Sequence, residues 1–277
     1  MPQKLYYLTT EITPFANPTP LGDFSVHVPF ALQEKGHDIR TIIPKYGYVS
    51  ERKYILREVI RLREIPFEFG GEEKIASAKS AFIPKTRVQI YFLEDDYWFT
   101  PLTNLVYKAK NGRVLSDNGE RYGYFAKAVL ATLPHLFWSP DIFICNGWQS
   151  AMVPGIFKAH FEGIDDVFYK QIKTVLVIHD LDEYADVARD DFELAEISVH
   201  PSLKGNMLNV YDVAAYDTDA IIIFDKPAKN ISESLLNRPG IKANKKKVSI
   251  IKWSDDEIPD YGSISDQMDK ILAKLSK

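Results

Sequence analysis

Short apolar runs alternate with amphipathic stretches along most of this chain. The runs rich in β-branched and large apolar residues are Leu5–Leu8, Ile39–Ile43, Asp141–Cys145, Thr174–Ile178 and Ala220–Phe224. Continuous apolar runs of this length are typical of strands that are buried on both faces of a parallel sheet. Because stretches with helical periodicity lie between them, the pattern predicts a Rossmann-like, doubly wound α/β fold with a parallel sheet.

Two further patterns refine this prediction. Residues 73–82 and 87–93 alternate with period two around a Pro-Lys-Thr turn, which predicts a β-hairpin inserted after the second strand. Residues 265–276 place Met268 and other apolar side chains on one helical face. We expect this last helix to pack back on the sheet, so that residues 1–277 form a single domain.

The loop after the first strand occupies the position where a Rossmann fold binds phosphate. In such folds glycine amides and a helix N-terminus approach a diphosphate. Here the loop centre reads Asn17-Pro18-Thr19-Pro20 before a helix expected to begin near Asp23. The prolines lack N–H donors and restrict φ to negative values. The sequence therefore predicts a loop that is poorly suited to binding a phosphate.

Composition and charge narrow the classes of partner. The net charge of −4 gives no electrostatic reason to expect nucleic acid or an anionic membrane surface. No apolar run is long enough to span a membrane, and the N-terminus lacks the pattern of a signal peptide. The single cysteine, Cys145, excludes an internal disulfide and indicates a reducing compartment. We expect a cytoplasmic protein.

Five segments carry motif residues in a fixed order. They are Thr10–Asp23, Leu32–Gly47, Asp117–Tyr122, Ser139–Pro154 and Val175–His179. In order and spacing they resemble the N-terminal domain of bacterial glycogen synthases and plant starch synthases, retaining glycosyltransferases of family 5. The first segment is similar to that family's S-E-x-x-P-F-A-K-T-G-G-L-x-D, and the fourth to P-D-I-x-H-x-H-D-W-H-x-A-x-x-P. The resemblance extends over most of residues 4–225.

This resemblance implies the N-terminal half of a GT-B fold, in which two Rossmann domains enclose the active site. It also implies an α-1,4-glucan glucosyltransferase lineage that uses ADP-glucose as the donor substrate and needs no cofactor. The second domain of the family supplies most contacts to the nucleotide sugar, and this chain ends at Lys277, about where that domain begins. We therefore expect an acceptor-side domain that is inactive alone or is completed by a separate chain.

Several residues to which the resemblance gives a role in chemistry are substituted. The donor-loop lysine and glycines of the family correspond to Asn17, Thr19 and Pro20. In the D-W-H segment, Asn146 and Gly147 replace histidine and aspartate, and Gln149 replaces the last histidine. Asparagine and glutamine can hydrogen-bond a hydroxyl group, but they cannot exchange protons near neutral pH.

Other motif residues match the family and are candidates for binding a sugar or another ligand. They are Glu11, Gly22, Asp23, Tyr46, Asp117, Trp148 and His179. No metal site is expected, because the carboxylates and histidines lack the spacing of a ligand set.

Most of these candidates also have a structural interpretation. Glu11 can hold its loop through backbone N–H groups, and Asp23 can cap a helix. Asp117 can form a local ion network with Glu120 and Arg121, and Trp148 can pack at the start of its helix. His179 ends a central strand, where ligands gather in α/β sheets, and both interpretations stay open.

His37 is expected to lie in a solvated turn.

Two functions from different classes follow. One is a glucosyltransferase of the glycogen and starch synthase type. The other is a non-catalytic domain, derived from that family, that binds an α-glucan, a sugar or a partner protein. Nothing in the sequence indicates the oligomeric state.

Overall fold

The computed structural model describes residues 2–182, 184–225, 230–252 and 259–275. The strands are β1 (Lys4–Leu8), β2 (Asp38–Pro44), β3 (Arg57–Glu58), β4 (Ile65–Phe69), β5 (Glu72–Phe82), β6 (Gln89–Glu94), β7 (Ile142–Asn146), β8 (Lys173–Ile178), β9 (Asp186–Ala188), β10 (Met207–Asn209), β11 (Ala220–Asp225) and β12 (Val248–Lys252). The helices are α1 (Leu21–Glu34), α2 (Glu51–Tyr54), α3 (Asn118–Leu136), α4 (Val153–His160), α5 (Arg189–Leu194), α6 (Val210–Asp217), α7 (Ile231–Leu236), α8 (Pro239–Ala243) and α9 (Tyr261–Leu275).

A mostly parallel sheet forms the centre of the fold. Its parallel strands follow the order β12-β11-β8-β7-β1-β2-β6. Strand β1 lies between β2 and β7, so the chain builds the sheet outward from β1 in both directions. The loops after β1 and β7 therefore meet at a topological switch point, the place where open α/β sheets bind ligands. The predicted Rossmann-like, doubly wound fold is confirmed.

The predicted hairpin is present, and its second arm has an additional role. Strand β5 pairs antiparallel with β6, from Ser77 opposite Glu94 to Phe82 opposite Gln89. Strand β6 also pairs in parallel with β2, so it is the last parallel strand on this side of the sheet, with β12 at the other edge. Its four central residues are all buried, as expected for a strand that is covered on both faces. Strands β3 and β4 both pair with β5.

Helix α9 lies against α1 and the edge of the sheet. It begins at Tyr261, before the predicted start, and the predicted last residue, 276, lies outside the described residues. Ile264, Met268 and Leu272 are buried, and the Gln3 side chain donates a hydrogen bond to the Leu272 carbonyl. Burial of the apolar face therefore holds this helix against the domain.

The structure shows that the solvated-turn prediction for His37 is wrong. Its side chain is buried, and Nδ1 accepts a hydrogen bond from the Gln3 backbone N–H at 3.2 Å. Because Nδ1 is an acceptor, Nε2 carries the proton and donates to Asp269 Oδ1 of α9 at 3.1 Å. The turn is covered because α9, which lies far away in sequence, packs over it.

No helix among the described residues is long and apolar enough to cross a membrane.

Candidate functional site

A cavity of about 140 Å³ lies at the carboxyl edge of the parallel sheet. The loops after β1, β7 and β8 line it, together with the end of β11 and the starts of α1 and α7. Six of the residues singled out from the sequence are on its wall: Glu11, Thr19, Pro20, Gly147, Gln149 and His179. The switch point of the sheet therefore brings together two motifs that are more than a hundred residues apart in the chain.

The loop after β1 closes on itself through Glu11 and Thr19. Glu11 Oε2 accepts hydrogen bonds from the Thr19 backbone N–H at 3.0 Å and from Thr19 Oγ1 at 2.6 Å. The same hydroxyl oxygen accepts the Leu21 N–H at 3.2 Å, and the Gly22 N–H donates to the Thr19 carbonyl at 3.1 Å. The first two amides of α1 therefore already have partners inside the chain.

The second oxygen of Glu11 is in a different situation. Glu11 is 1% exposed, and its buried Oε1 atom has no hydrogen-bond partner among the described residues. Burial raises the pKa of this carboxyl to about 7, and the negative charge of Asp182 adds to the rise. The two hydrogen bonds from Thr19 favour the ionised form and oppose this effect. The carboxyl is therefore partly protonated near neutral pH.

Gly22 and Asp23 stand in the first turn of α1, and neither lines the cavity. A Cβ atom on Gly22 would lie 3.0 Å from the Cα of Asn17, so a glycine lets the preceding loop pack against the helix. Asp23 is exposed, and the helix begins two residues earlier, after Pro20. The expectation that Asp23 caps the helix is therefore wrong, and its charge only complements the helix dipole. Asn17 is also exposed and lies outside the cavity.

Asn146, at the end of β7, fixes the state of His179. The Asn146 amide nitrogen donates to the carbonyls of Leu8 and Ile144, both at 3.2 Å. This fixes Oδ1 as the acceptor that faces His179 Nε2 at 3.3 Å, so the proton of the imidazole is on Nε2. Burial lowers the pKa of His179 to about 3, so the ring is neutral at physiological pH.

The ring of His179 is also held by aromatic contacts. It stacks on Phe224 with the centroids 5.2 Å apart and the planes 9° from parallel. Phe24 of α1 meets it edge-on at 4.5 Å. The imidazole is therefore packed as an aromatic side chain, which agrees with its depressed basicity.

Gly147 and Gln149 form the adjoining wall. Gly147 has φ +73° and ψ 174°, a backbone conformation that is essentially restricted to glycine. A Cβ atom at this position would lie 2.9 Å from Gln149 Oε1 and 3.3 Å from Leu21 Cδ2. Gln149 is 3% exposed and lines the cavity. The glycine thus gives space for the glutamine side chain and for the start of α1.

Besides Gly22 and Asp23, three further candidates from the sequence do not line the cavity. Trp148 is buried edge-to-face between Tyr107 and Tyr122, at 5.7 and 5.1 Å. The Tyr46 hydroxyl donates to the Thr10 carbonyl at 2.9 Å, and its ring is fully buried.

Asp117, directly before α3, pairs with Arg121 of its first turn at 2.5 Å. Arg121 also donates to the Trp98 carbonyl and to Asn118 Oδ1. The packing interpretation of Trp148 and the ion-network interpretation of Asp117 thus match the geometry. Trp148 still acts indirectly, because it supports Tyr107, which does line the cavity.

Sequence reasoning did not identify the aromatic wall of the cavity. It also did not identify the role of Thr19 in connecting Glu11 to α1. Phe24, Tyr107 and Phe224 line the cavity, and Thr19 connects Glu11 to the start of α1. A signal for Thr19 was available, since threonine hydroxyls in turns often hydrogen-bond the backbone two residues on, as Oγ1 does here with the Leu21 N–H. The aromatic residues had no such signal, because they belong to distant elements.

Metal chemistry has no candidate site in residues 2–182, 184–225, 230–252 and 259–275. No group of three or more histidine, cysteine, aspartate or glutamate side chains there could hold an ion.

The fold and the cavity at the switch point define a Rossmann domain of the GT-B glycosyltransferase type. The family model for the starch synthase catalytic domain matches residues 4–226, and the chain belongs to this family. Both the predicted family and the predicted fold class are thus confirmed.

Curated relatives agree with this assignment. Glycogen synthase from Pelodictyon phaeoclathratiforme is 33% identical over 178 residues, which cover 64% of this chain and 36% of the relative. Glycogen synthase from Chlorobium luteolum is 35% identical over 176 residues, covering 64% and 35%. The chain spans about a third of the length of these curated relatives.

Solved structures share the fold. The catalytic domain of starch synthase IV from Arabidopsis thaliana, bound to ADP and acarbose, aligns with a TM-score of 0.73 and 18% identity. The alignment covers 91% of this chain and 52% of that chain. A sucrose-phosphate synthase structure from Thermosynechococcus elongatus aligns with a TM-score of 0.51 and 13% identity over 99% of this chain and all of that one.

Proposed function

We propose that this chain is an acceptor-side domain of the starch synthase family that binds a neutral sugar unit of an α-glucan and does not transfer glucose from ADP-glucose by itself. The observation that carries this proposal is the closed loop after β1. Thr19 accepts hydrogen bonds from the first two backbone N–H groups of α1, and Glu11 holds Thr19 in place. A diphosphate needs such amides to be free at a helix N-terminus.

Charge supports the same proposal. The described residues that line the cavity include three carboxyl groups, on Glu11, Asp180 and Asp182, and neither lysine nor arginine. Diphosphates are normally met by arginine, lysine or backbone N–H groups, and nearby carboxylates repel them. Loss of preorganised positive groups removes the electrostatic contribution that is usually the largest in such catalysis.

Size and surface chemistry favour a sugar. The cavity volume of about 140 Å³ is small beside the roughly 300–1,000 Å³ of pockets for drug-sized ligands, so it suits one sugar ring better than a nucleotide sugar. Phe24, Tyr107 and Phe224 offer aromatic surface, while Gln149 and Glu11 offer polar groups. Sugars present apolar ring faces and hydroxyl groups, which match these two kinds of contact.

Family membership favours a second candidate function. In it the chain is part of a working ADP-glucose-dependent α-1,4-glucan glucosyltransferase, and another protein supplies the second domain. Under both proposals the protein is cytoplasmic, the described residues act as one domain, and no cofactor takes part. In the first candidate function the partner is an α-glucan. In the second, the partners are an α-glucan and a protein that supplies the second domain.

A transfer assay and a binding assay separate the two functions. The purified chain is incubated with ADP-[¹⁴C]glucose and glycogen, and maltotriose and ADP are titrated separately by calorimetry. We expect no incorporation of label, measurable binding of maltotriose and no binding of ADP. Incorporation of label by the pure chain would overturn the proposal. Incorporation only after addition of a cell extract would support the second candidate.

A further inference from the structure

The two oxygens of Glu11 face different environments, and this difference points to a ligand contact. Oε2 accepts both hydrogen bonds from Thr19, at 3.0 and 2.6 Å. Oε1 is buried and has no partner among the described residues, although Glu11 lines the cavity. Buried polar atoms in proteins are normally hydrogen-bonded, and an unmade bond is costly. Glu11 therefore has one acceptor position that no described residue uses, on a residue of the cavity wall.

The groups around Glu11 limit what that donor can be. Asp180 and Asp182 line the same cavity from the loop after β8, so they bring negative charge toward the carboxyl. His179 is neutral, because burial lowers its pKa to about 3. Tyr46, Tyr48 and Tyr122 also interact with Glu11, and burial raises the pKa of each phenol well above neutrality. Glu11 therefore changes charge near neutral pH while these rings do not.

We propose that the cavity recognises its ligand through a hydroxyl group that donates a hydrogen bond to Glu11 Oε1, and that binding releases one proton from this carboxyl to solvent. In the free protein the proton is on Oε1, because Oε2 is already engaged by two donors. In the complex the O–H of the ligand takes its place, and the carboxylate then accepts three hydrogen bonds. This inference rests on the proposed sugar-binding function and names the contact that makes it specific.

The direction of the proton transfer follows from linkage. A hydrogen bond to the charged form favours that form, so the ligand lowers the pKa of Glu11 below the value of about 7 in the free protein. At about pH 6 most molecules carry the proton, and each binding event releases about 0.9 proton. At about pH 8.5 the carboxyl is already ionised and the release approaches zero. The apparent affinity should therefore increase about tenfold from pH 6 to pH 8.

Calorimetry with maltotriose tests this directly. Titrations in buffers of different ionisation enthalpy give the number of protons released, at about pH 6 and about pH 8.5. We expect the release of about 0.9 proton per binding event at about pH 6 and almost none at about pH 8.5. Glu11→Gln should bind maltotriose more weakly, because its amide donates where an acceptor is needed, and it should release no proton at either pH.

Glu34→Gln is the matched control. It makes the same chemical change on an exposed residue at the far end of α1, and it should retain the affinity and the proton release of the unmodified chain. The buffer series on the unmodified chain is decisive even if Glu11→Gln does not fold.

The experiments distinguish a failure of the proposed sugar-binding function from a failure of the inference about Glu11. Absence of maltotriose binding at every pH overturns the proposed function and this inference with it. Binding with no proton exchange, or with proton uptake, overturns the inference while the sugar-binding function stands. Equal affinity of Glu11→Gln and the unmodified chain at pH 8 also overturns it.

Discussion

The two walls of the cavity differ in how they use their polar groups. The α1 wall, residues 11–24, closes its hydrogen bonds around Thr19 and leaves the buried Oε1 of Glu11 without a partner among the described residues. The β8 wall, residues 146–149 with His179, uses Asn146 to hold a neutral imidazole and keeps Gln149 at the cavity surface. Under the proposed function, the comparison teaches that a Rossmann edge can lose its phosphate site and keep a site for hydroxyl groups.

Burial acts on the two walls in opposite directions. It raises the pKa of Glu11 to about 7 and lowers the pKa of His179 to about 3, because in each case it disfavours the charged form. Both side chains are therefore uncharged at mildly acidic pH. Folded Glu11 binds its proton more tightly than the unfolded chain does, so its contribution to stability falls as the pH rises from about 4.5 to 7. His179 contributes stability that is lost as the pH falls from 6.5 toward 3.

The largest expected effect comes from replacing His179, the group of the β8 wall that can take up a proton. His179→Phe keeps an aromatic ring against Phe24 and Phe224 but cannot take up a proton. Between pH 6.5 and 4 the unmodified chain should lose about 3 kcal/mol of unfolding free energy through His179, and the variant should not. Urea unfolding of both proteins at the two pH values measures this difference.

Two variants make this test specific. His27 is exposed on α1, so His27→Phe is the matched control that makes the same substitution away from the cavity. Glu11→Gln should change the dependence in the opposite sense, because it removes a loss of about 3 kcal/mol between pH 4.5 and 7. If the His179 and Glu11 variants shift stability in the same direction, the contrast between the two walls is wrong.

The next effect tests the shape of the β8 wall. Gly147→Ala places a Cβ atom 2.9 Å from Gln149 Oε1 in a backbone conformation that essentially only glycine adopts. We expect a loss of about 2 kcal/mol of unfolding free energy and weaker binding of maltotriose, because Gln149 must move. Urea unfolding and calorimetry measure the two effects.

Gly163→Ala is the control for backbone strain alone. Gly163 also has a positive φ, of +81°, but nothing lies within 4 Å of its Cβ position. Gly163→Ala should lose less unfolding free energy than Gly147→Ala, and it should bind maltotriose as the unmodified chain does. Equal losses of unfolding free energy in the two variants would show that the contact with Gln149 does not contribute to the destabilisation.

The sequence was sufficient for the fold because local pattern and global packing agree in it. The buried run in β8 and the period-two alternation of β5 indicate their strands directly. Strand β6 shows the limit of such reasoning. Its pairing with β5 follows from the turn between them, whereas its pairing with β2 depends on the order of strands in space. His37 fails for the same reason, since helix α9 that buries it lies more than two hundred residues away.

The site was predicted in part. Glu11 and His179 follow strands β1 and β8 at the carboxyl edge of the sheet, so position alone placed them at the cavity. Tyr46 and Asp117 also match family motifs, but their side chains bond to the Thr10 carbonyl and to Arg121, and neither lines the cavity. Which oxygen of Glu11 stays open could not be known from the sequence, because it depends on hydrogen-bond geometry.

The smallest expected effect tests the α1 wall through its connecting hydroxyl. Thr19→Val removes the group that donates to Glu11 Oε2 and accepts the Leu21 N–H, at nearly constant volume. We expect a loss of about 1–2 kcal/mol in urea unfolding and a further rise in the pKa of Glu11, because a bond that favours the ionised form is lost. Thr19→Ser keeps the hydroxyl and should lose much less. If serine and valine are equally destabilising, the methyl group of Thr19 rather than its hydroxyl holds the loop closed, and the α1 wall is maintained by packing.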